Sequence, residues 1–335
     1  FAENGTLELT PYNDYTVKVF TRVNGDDTPV RRSIAVCATP SCEFTVSDDE
    51  SAILLATAGL RVNVSKINCQ ITFADADGKV LLREDGGLDN SARPRQISFA
   101  AMNDAAFYGG GYNGQRINQN GVNMVMNNTQ TGGWENTWQA PHNICVPFVV
   151  STSGYGLFFD DHYRNARITP SSDGTSYSSG STTPIAYYFV GSSDGSQASV
   201  MENYTYLTGR QELPPYWALG YMTSRYGYKS QSEANEVIRS VKDANLPIDA
   251  IVFDLYWQGE GNSGMGNLDW YKTNFPDAPQ MMADFDAQGM KTICITEPFI
   301  TSATTNYIPF KKAGYFADDD VSGMEWLGAS QVGLI

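Results

Sequence analysis

The sequence predicts an antiparallel β-sandwich over residues 1–212 and the start of a parallel βα fold over residues 213–335. Three observations carry this reading. Before residue 210, short runs alternate apolar and polar residues and are separated by turn residues, the pattern of half-buried strands. After the Pro214-Pro215 pair, amphipathic stretches with capping signals lie between continuous apolar runs, as in βα units. The length of 335 residues corresponds to about two domains at roughly 150 residues each.

In the first part the strand-like runs are YTVKVF at 15–20, AILLA at 52–56, LRVNV at 60–64, CQITF at 69–73, KVLLR at 79–83, VPFVVS at 146–151 and AYYFV at 186–190. DADG at 75–78 and STSG at 151–154 supply the glycines and short polar side chains that turns require. No long stretch shows a helical period, and residues 170–184, rich in Ser, Thr and Gly, read as a polar, solvated hairpin or loop.

In the second part, residues 217–222 (WALGYM) read as a short apolar strand. Ser230 and Glu233 form a capping-box pair. Ala234, Val237, Ile238, Val241 and Ala244 follow at helical spacing, and Leu246-Pro247 ends that helix. AIVF at 250–253 is a continuous apolar run, as expected of a strand covered on both faces. Pro279 opens a second helix with Met281, Met282 and Phe285 inward, and Gly289 closes it. TICIT at 292–296 reads as the next buried strand. Spacing leaves two architectures open, a doubly wound sheet and an incomplete (β/α)8 barrel. No GxGxxG or P-loop follows these strands, which argues against a nucleotide ligand.

Composition narrows the function. The chain carries 37 acidic and 22 basic residues, a net charge of −15. That balance argues against nucleic acid and against an anionic membrane surface, because both need clustered Lys and Arg. No apolar run reaches the 18 or so residues of a membrane helix. Two His residues and no CxxC pair argue against a zinc site. Cys37 and Cys42, five apart, are spaced for a hairpin disulfide; Cys69, Cys145 and Cys294 read as buried thiols. Sequons at Asn4, Asn63, Asn127 and Asn203 point to a secreted or periplasmic protein.

In βα folds reactive groups gather where strands end. Here those ends offer residues 224–228 (SRYGY), then Asp254 with Tyr256, Trp257 and Glu260, then Glu297. Two carboxylates with aromatic neighbours suit a sugar site, as a general acid and its partner. The competing reading is that they cap the helices that follow. Trp217, Tyr221 and Phe253 read as core.

PPYWALGYMTSRYGY at 214–228, IDAIVFDLYW at 248–257, NFPD at 274–277 and KTICITEP at 291–298 together resemble the entry, second strand and third strand of the glycoside hydrolase family 31 barrel. FYGGG at 107–111 and GYGLFFD at 154–160 resemble segments of the β-sandwich that precedes it. The resemblance implies a β-sandwich followed by the first βα units of a (β/α)8 barrel. It also implies a retaining α-glycosidase or transglycosidase, most simply an α-glucosidase or transglucosylase, with α-galactosidase and α-xylosidase as alternatives within the family. A non-catalytic carbohydrate-binding sandwich is the reading outside it.

The resemblance changes the roles of the residues. Asp254 becomes a ligand of the sugar in subsite −1 with Trp257 beside it, and Tyr226 an aromatic wall. Ile295 and Glu297 become the floor at the third strand, and Trp326 the Trp that precedes the fourth strand. The nucleophile and acid/base belong to later motifs that do not occur in this sequence, so no catalytic residue is expected in the chain. The rest of the catalytic domain is expected as another segment or chain, and an isolated piece ending at Ile335 is expected to be inactive. The substrate is an oligosaccharide or α-glycoside, with no cofactor and no metal. A sandwich loop, MNNTQTGGW at 126–134, lacks the Asp that family α-glucosidases offer to the −1 sugar; Asn128, Thr129 or Gln130 stands in its place.

Overall fold

The computed structural model describes residues 5–27, 32–87, 95–102, 106–112, 116–128, 144–161, 165–180, 184–316 and 332–334. The chain divides into two compact units, Phe1–Gln211 and Glu212–Ile335.

The first unit is built on a six-stranded antiparallel sheet in the order Gly5–Asn13, Thr16–Val23, Ile185–Val190, Tyr155–Phe159, Ile144–Ser151, Phe107–Tyr112. A five-stranded antiparallel meander runs from Thr45–Asp48 to Val80–Arg83, and a four-stranded sheet joins Met124–Met126, Ala166–Thr169, Ser176–Ser178 and Gln96–Ser98. The strand Leu60–Ser65 shows why the pattern was readable: Leu60, Val62 and Val64 are buried while Arg61 and Asn63 are exposed, the period of two of a one-sided strand. All three sheets contribute to one core, with Phe73 stacked on Phe189 at 4.3 Å and Phe159 on Tyr177 at 4.1 Å.

Tyr155–Phe159 is buried at every position because the six-stranded sheet is covered on both faces. Its second face packs Phe148, Phe158 and Tyr188 against Val200 and Leu207 of a helix, Gln197–Thr208. That helix contradicts the all-β reading of this half. Its inward stripe is Val200, Tyr204 and Leu207 alone, too narrow to stand out in the sequence; Ser196, which caps it by accepting from the Ser199 N–H, was its signal. The stretch 170–184 is also corrected. Ser176–Ser178 is a sheet strand, and Thr175, Tyr177 and Ser179 are buried. Burial is tolerated because the Tyr177 hydroxyl donates to Asp161, as does Ser179 Oγ at 2.6 Å.

Cys37 and Cys42 are free thiols, not a disulfide. Each is drawn to a different element: Cys37 Sγ lies 3.5 Å from the Thr208 carbonyl, and Cys42 Sγ 3.5 Å from Asp14 Oδ1. Cys69, Cys145 and Cys294 are half-buried rather than buried. Cys69 sits at a positive φ of 60° in the turn before its strand.

In the second unit Met222–Ser224, Ala250–Phe253 and Lys291–Cys294 form a parallel sheet in that order, with Phe253 opposite Cys294. This is the parallel βα arrangement the sequence predicts. Ser230 caps the helix Gln231–Asp243 by accepting from the Glu233 N–H, and Asp277 caps Ala278–Ala287. Ala234, Ile238, Met281 and Phe285 pack under the sheet with Phe253 and Phe275. Residues 217–222 are not a strand: Tyr216–Leu219 is a 3-10 turn, and the strand starts only at Met222. Pro214-Pro215 favours the turn, since each proline fixes its own φ at about −65° and lacks the N–H a strand ladder needs, and Pro215 sits at the N-cap with φ −59°. Tyr221 is exposed rather than core. Lys291–Cys294 is half-buried throughout, not buried, because among the described residues it is paired along one edge only. No described helix is long and apolar enough to cross a membrane.

Candidate functional site

The in-register parallel pairing sets the ends of the second and third strands side by side. Asp254 follows Phe253 and caps the 3-10 turn Leu255–Gln258, its Oδ1 accepting from the Leu255 N–H at 2.7 Å. The capping reading therefore holds for one oxygen of this residue. The side chain stays half-exposed, so the same turn that fixes it also presents it.

Glu297 lies three residues beyond the third strand and is half-buried. Burial, and then the negative charge of Asp254, push its carboxyl above the usual carboxylate range. The two carboxylates thus feel one another, although they come from different βα units. Tyr226 is 63% exposed, and its ring meets Tyr256 edge-on at 5.5 Å. A hydrogen bond with Tyr256, with burial and the nearby Asp254 charge, holds its phenol above the ordinary value. The Lys229 ammonium sits over the Tyr256 ring, 4.6 Å from its centroid.

The stretch carrying Tyr226 is folded tightly. Tyr228 takes a positive φ of 56°, buries its ring, and shares a 2.7 Å hydrogen bond with Thr223 Oγ1. Arg225 pairs with Glu233, whose other oxygen accepts from the Lys229 N–H at 2.7 Å. The helix cap and the strand-end loop are therefore one network.

Trp257 was expected at the sugar. Its indole is instead buried beside Trp270 at 5.5 Å, and its N–H donates to the Ile295 carbonyl at 2.8 Å. Ile295 in turn donates its N–H to the Phe253 carbonyl at 3.0 Å. Trp257 and Ile295 thus lock the two strand ends together, and Glu297 is carried by that lock. Gln258, which no sequence pattern singles out, is buried with Oε1 accepting from the Gly266 and Leu268 N–H groups at 3.1 and 3.2 Å. It shapes the loop after the second strand.

Thr129, Gln130, Trp134 and Trp326 lie outside the described residues. Asn128 is described, and its Oδ1 accepts from the Cys145 N–H at 2.6 Å. No group of three or more potential metal ligands occurs among the described residues. What converges, then, is Asp254, Glu297 and the Tyr226–Tyr256 pair: carboxylate acceptors, phenolic donors and aromatic faces at one strand mouth. Such a set matches neutral ligands dense in hydroxyl groups.

Comparison with known proteins identifies the family of the two units. The profile of the glycosyl hydrolases family 31 TIM-barrel domain matches residues 211–332, and that of the glycosyl hydrolase 31 N-terminal galactose mutarotase-like domain matches residues 6–165. The chain is 27% identical over 303 residues to alpha-glucosidase 2 of Bacillus thermoamyloliquefaciens, covering 88% of this chain and 38% of that protein. It is 24% identical over 299 residues to a 1,6-alpha-glucosyltransferase of Sporosarcina globispora, covering 81% of this chain and 22% of that protein. Its fold superposes on a GH31 dextranase of Flavobacterium johnsoniae with a TM-score of 0.84 at 24% identity, over all of this chain and 42% of that one. The chain therefore spans well under half the length of these relatives, yet two profiles of one family match it in the order sandwich then barrel. The chain belongs to glycoside hydrolase family 31.

Proposed function

We propose that the whole protein of which this chain is part is a retaining α-glycosidase or α-transglycosidase, with an α-glucoside the first substrate to test. The observation that carries this is the meeting of Asp254, Glu297 and Tyr226–Tyr256 at the ends of parallel strands. The similarity to an α-glucosidase and a glucosyltransferase supports the same substrate class.

In this reading Asp254 accepts hydroxyls of the sugar in subsite −1, and Tyr226 forms an aromatic wall. Glu297, raised by burial, lies beneath. Trp257 and Ile295 act through the strand ends they tie together. Retention needs two carboxyl groups, a nucleophile and an acid/base, which residues outside this chain supply; no cofactor takes part. The substrate meets the protein as an oligosaccharide or α-glycoside outside the cytoplasm, in a secreted or periplasmic setting, and the remaining catalytic segment is the chain's structural partner.

The test is turnover of 4-nitrophenyl α-glucoside, α-galactoside and α-xyloside by the full-length protein, followed by trapping with a fluorinated glycosyl fluoride and peptide mapping. We expect α-glucoside turnover and a covalent label on a carboxylate outside residues 1–335. A label on Asp254 overturns the assigned roles, and no turnover of any of the three overturns the activity.

A further inference from the structure

A groove of about 1000 Å³ lies in the first unit, lined by Asp14, Cys42, Glu43, Phe44, Thr45 and Thr57 among others. It is built where two hairpin turns from different sheets are sewn together. Thr57 Oγ1 donates to the Asp14 carbonyl at 2.6 Å. A Cβ at Gly59 would come within 2.3 Å of the Tyr15 ring and 2.8 Å of the Asp14 carbonyl, so only glycine lets the turns close this tightly. Asn13 spends its amide on the Tyr15 N–H and on Asn203 Oδ1. The floor is therefore fixed before any ligand arrives.

The walls have a definite chemistry. Phe44 is 51% exposed, a large apolar ring held at the surface. Asp14 and Glu43 add exposed carboxylates to the same groove, and Ser41 and Thr45 add hydroxyls. Cys42 points its thiol at Asp14 Oδ1 at 3.5 Å, and burial with the Asp14 and Glu43 charges pushes that thiol up to about 11, so it stays a neutral donor that orients the carboxylate. An aromatic ring and carboxylate acceptors in one groove suit the apolar face and hydroxyl edge of a sugar ring. The two carboxylates repel anionic ligands. The groove is open to solvent, and its volume of about 1000 Å³ exceeds that of a single small sugar, so it has room for several units of a chain.

We propose that this groove is a second binding site for a neutral oligosaccharide chain, separate from the strand mouth of the second unit. The choice of ligand rests on the proposed α-glycosidase reading, since the same substrate class would be retained near the enzyme. Phe44 is the stacking platform, and Asp14 and Glu43 accept the hydroxyls.

The test is native gel retardation of the full-length protein in dextran and in soluble starch, with Phe44→Ala, Glu43→Gln and Asp254→Ala. Phe44 is surface-exposed, so circular dichroism should show an unchanged fold for its variant. We expect retardation by at least one polymer, a fall of about tenfold in apparent affinity for Phe44→Ala, as for loss of an aromatic anchor, a smaller fall for Glu43→Gln, and retention of binding by Asp254→Ala. Retardation lost in Asp254→Ala and kept in Phe44→Ala overturns the second site while leaving the strand-mouth reading intact. No retardation of the unaltered protein by either polymer overturns it as well.

Discussion

The two units treat buried carboxyl groups in opposite ways. In the sandwich, Glu84 lies in the core, accepts from the Tyr187 hydroxyl at 2.7 Å and the Ile71 N–H at 3.1 Å, and is pushed up to about 7 by burial. In the βα unit, Glu297 is also raised by burial but keeps part of its surface free and faces a second carboxylate, Asp254. A raised carboxyl group is thus not a site by itself. What separates the two is access: Glu84 is buried with its carboxylate bonded to the Tyr187 hydroxyl and the Ile71 N–H, whereas Asp254 and Glu297 both stay partly exposed at the strand ends.

The comparison breaks first, and most severely, at the sandwich core. Phe73→Ala, which removes a fully buried ring stacked on Phe189, should cost about 3–5 kcal/mol. A urea unfolding midpoint for the first unit that hardly moves would show that its core is not where the stability lies.

Next is the pH behaviour of Glu84. Its folded carboxyl, at about 7, is raised above the unfolded value. The folded state therefore holds the proton longer, and the contribution of this group to stability is fully present below about pH 4.5 and is lost as pH rises through about 7. The loss is on the order of 2–3 kcal/mol across that window. Urea midpoints measured from pH 5 to pH 8 should fall more steeply for the unaltered protein than for Glu84→Gln; equal slopes would mean that Glu84 is ionised in the fold and that its hydrogen bonds outweigh burial.

Asp254→Ala tests the other side. Losing charge-assisted hydrogen bonds to sugar hydroxyls is worth on the order of 1.5–3 kcal/mol, roughly 10- to 100-fold in kcat/KM of the full-length protein. Because Asp254 also caps a 3-10 turn, Asp254→Asn keeps the cap and sharpens the reading: if it restores activity, the residue acts through the backbone rather than on the substrate.

The smallest effect belongs to the first helix of the βα unit. Ser230→Ala removes the side chain that accepts from the Glu233 N–H and should destabilise by about 1 kcal/mol. Since Glu233 also holds Arg225 and the Lys229 N–H, a drop in activity larger than that stability loss would show that the cap positions the Tyr226 stretch.

How far the sequence reaches differs along the chain. Ser230 and Glu233, and the runs at 60–64 and 250–253, were legible because capping and periodicity are set by neighbours one to four residues away. Asp254 and Glu297 were legible for a related reason, since Asp254 directly follows the apolar run 250–253 and Glu297 directly follows the run 292–296. The helix Gln197–Thr208 and the strand Ser176–Ser178 were not, because their weak apolar patterns matter only against the second face of a sheet and the carboxylate of Asp161.

Alternation, caps and prolines are local, so the sequence alone determined a sandwich followed by βα units and put the acidic residues at strand ends. The tertiary structure decided which groups meet. Parallel register placed Asp254 beside Glu297, and the indole of Trp257 turned inward to hold Ile295 rather than outward as a platform. Cys37 and Cys42 went to separate partners. Those outcomes depend on contacts between residues tens to hundreds of positions apart, where the packing of a whole core, not the propensity of a segment, selects the arrangement.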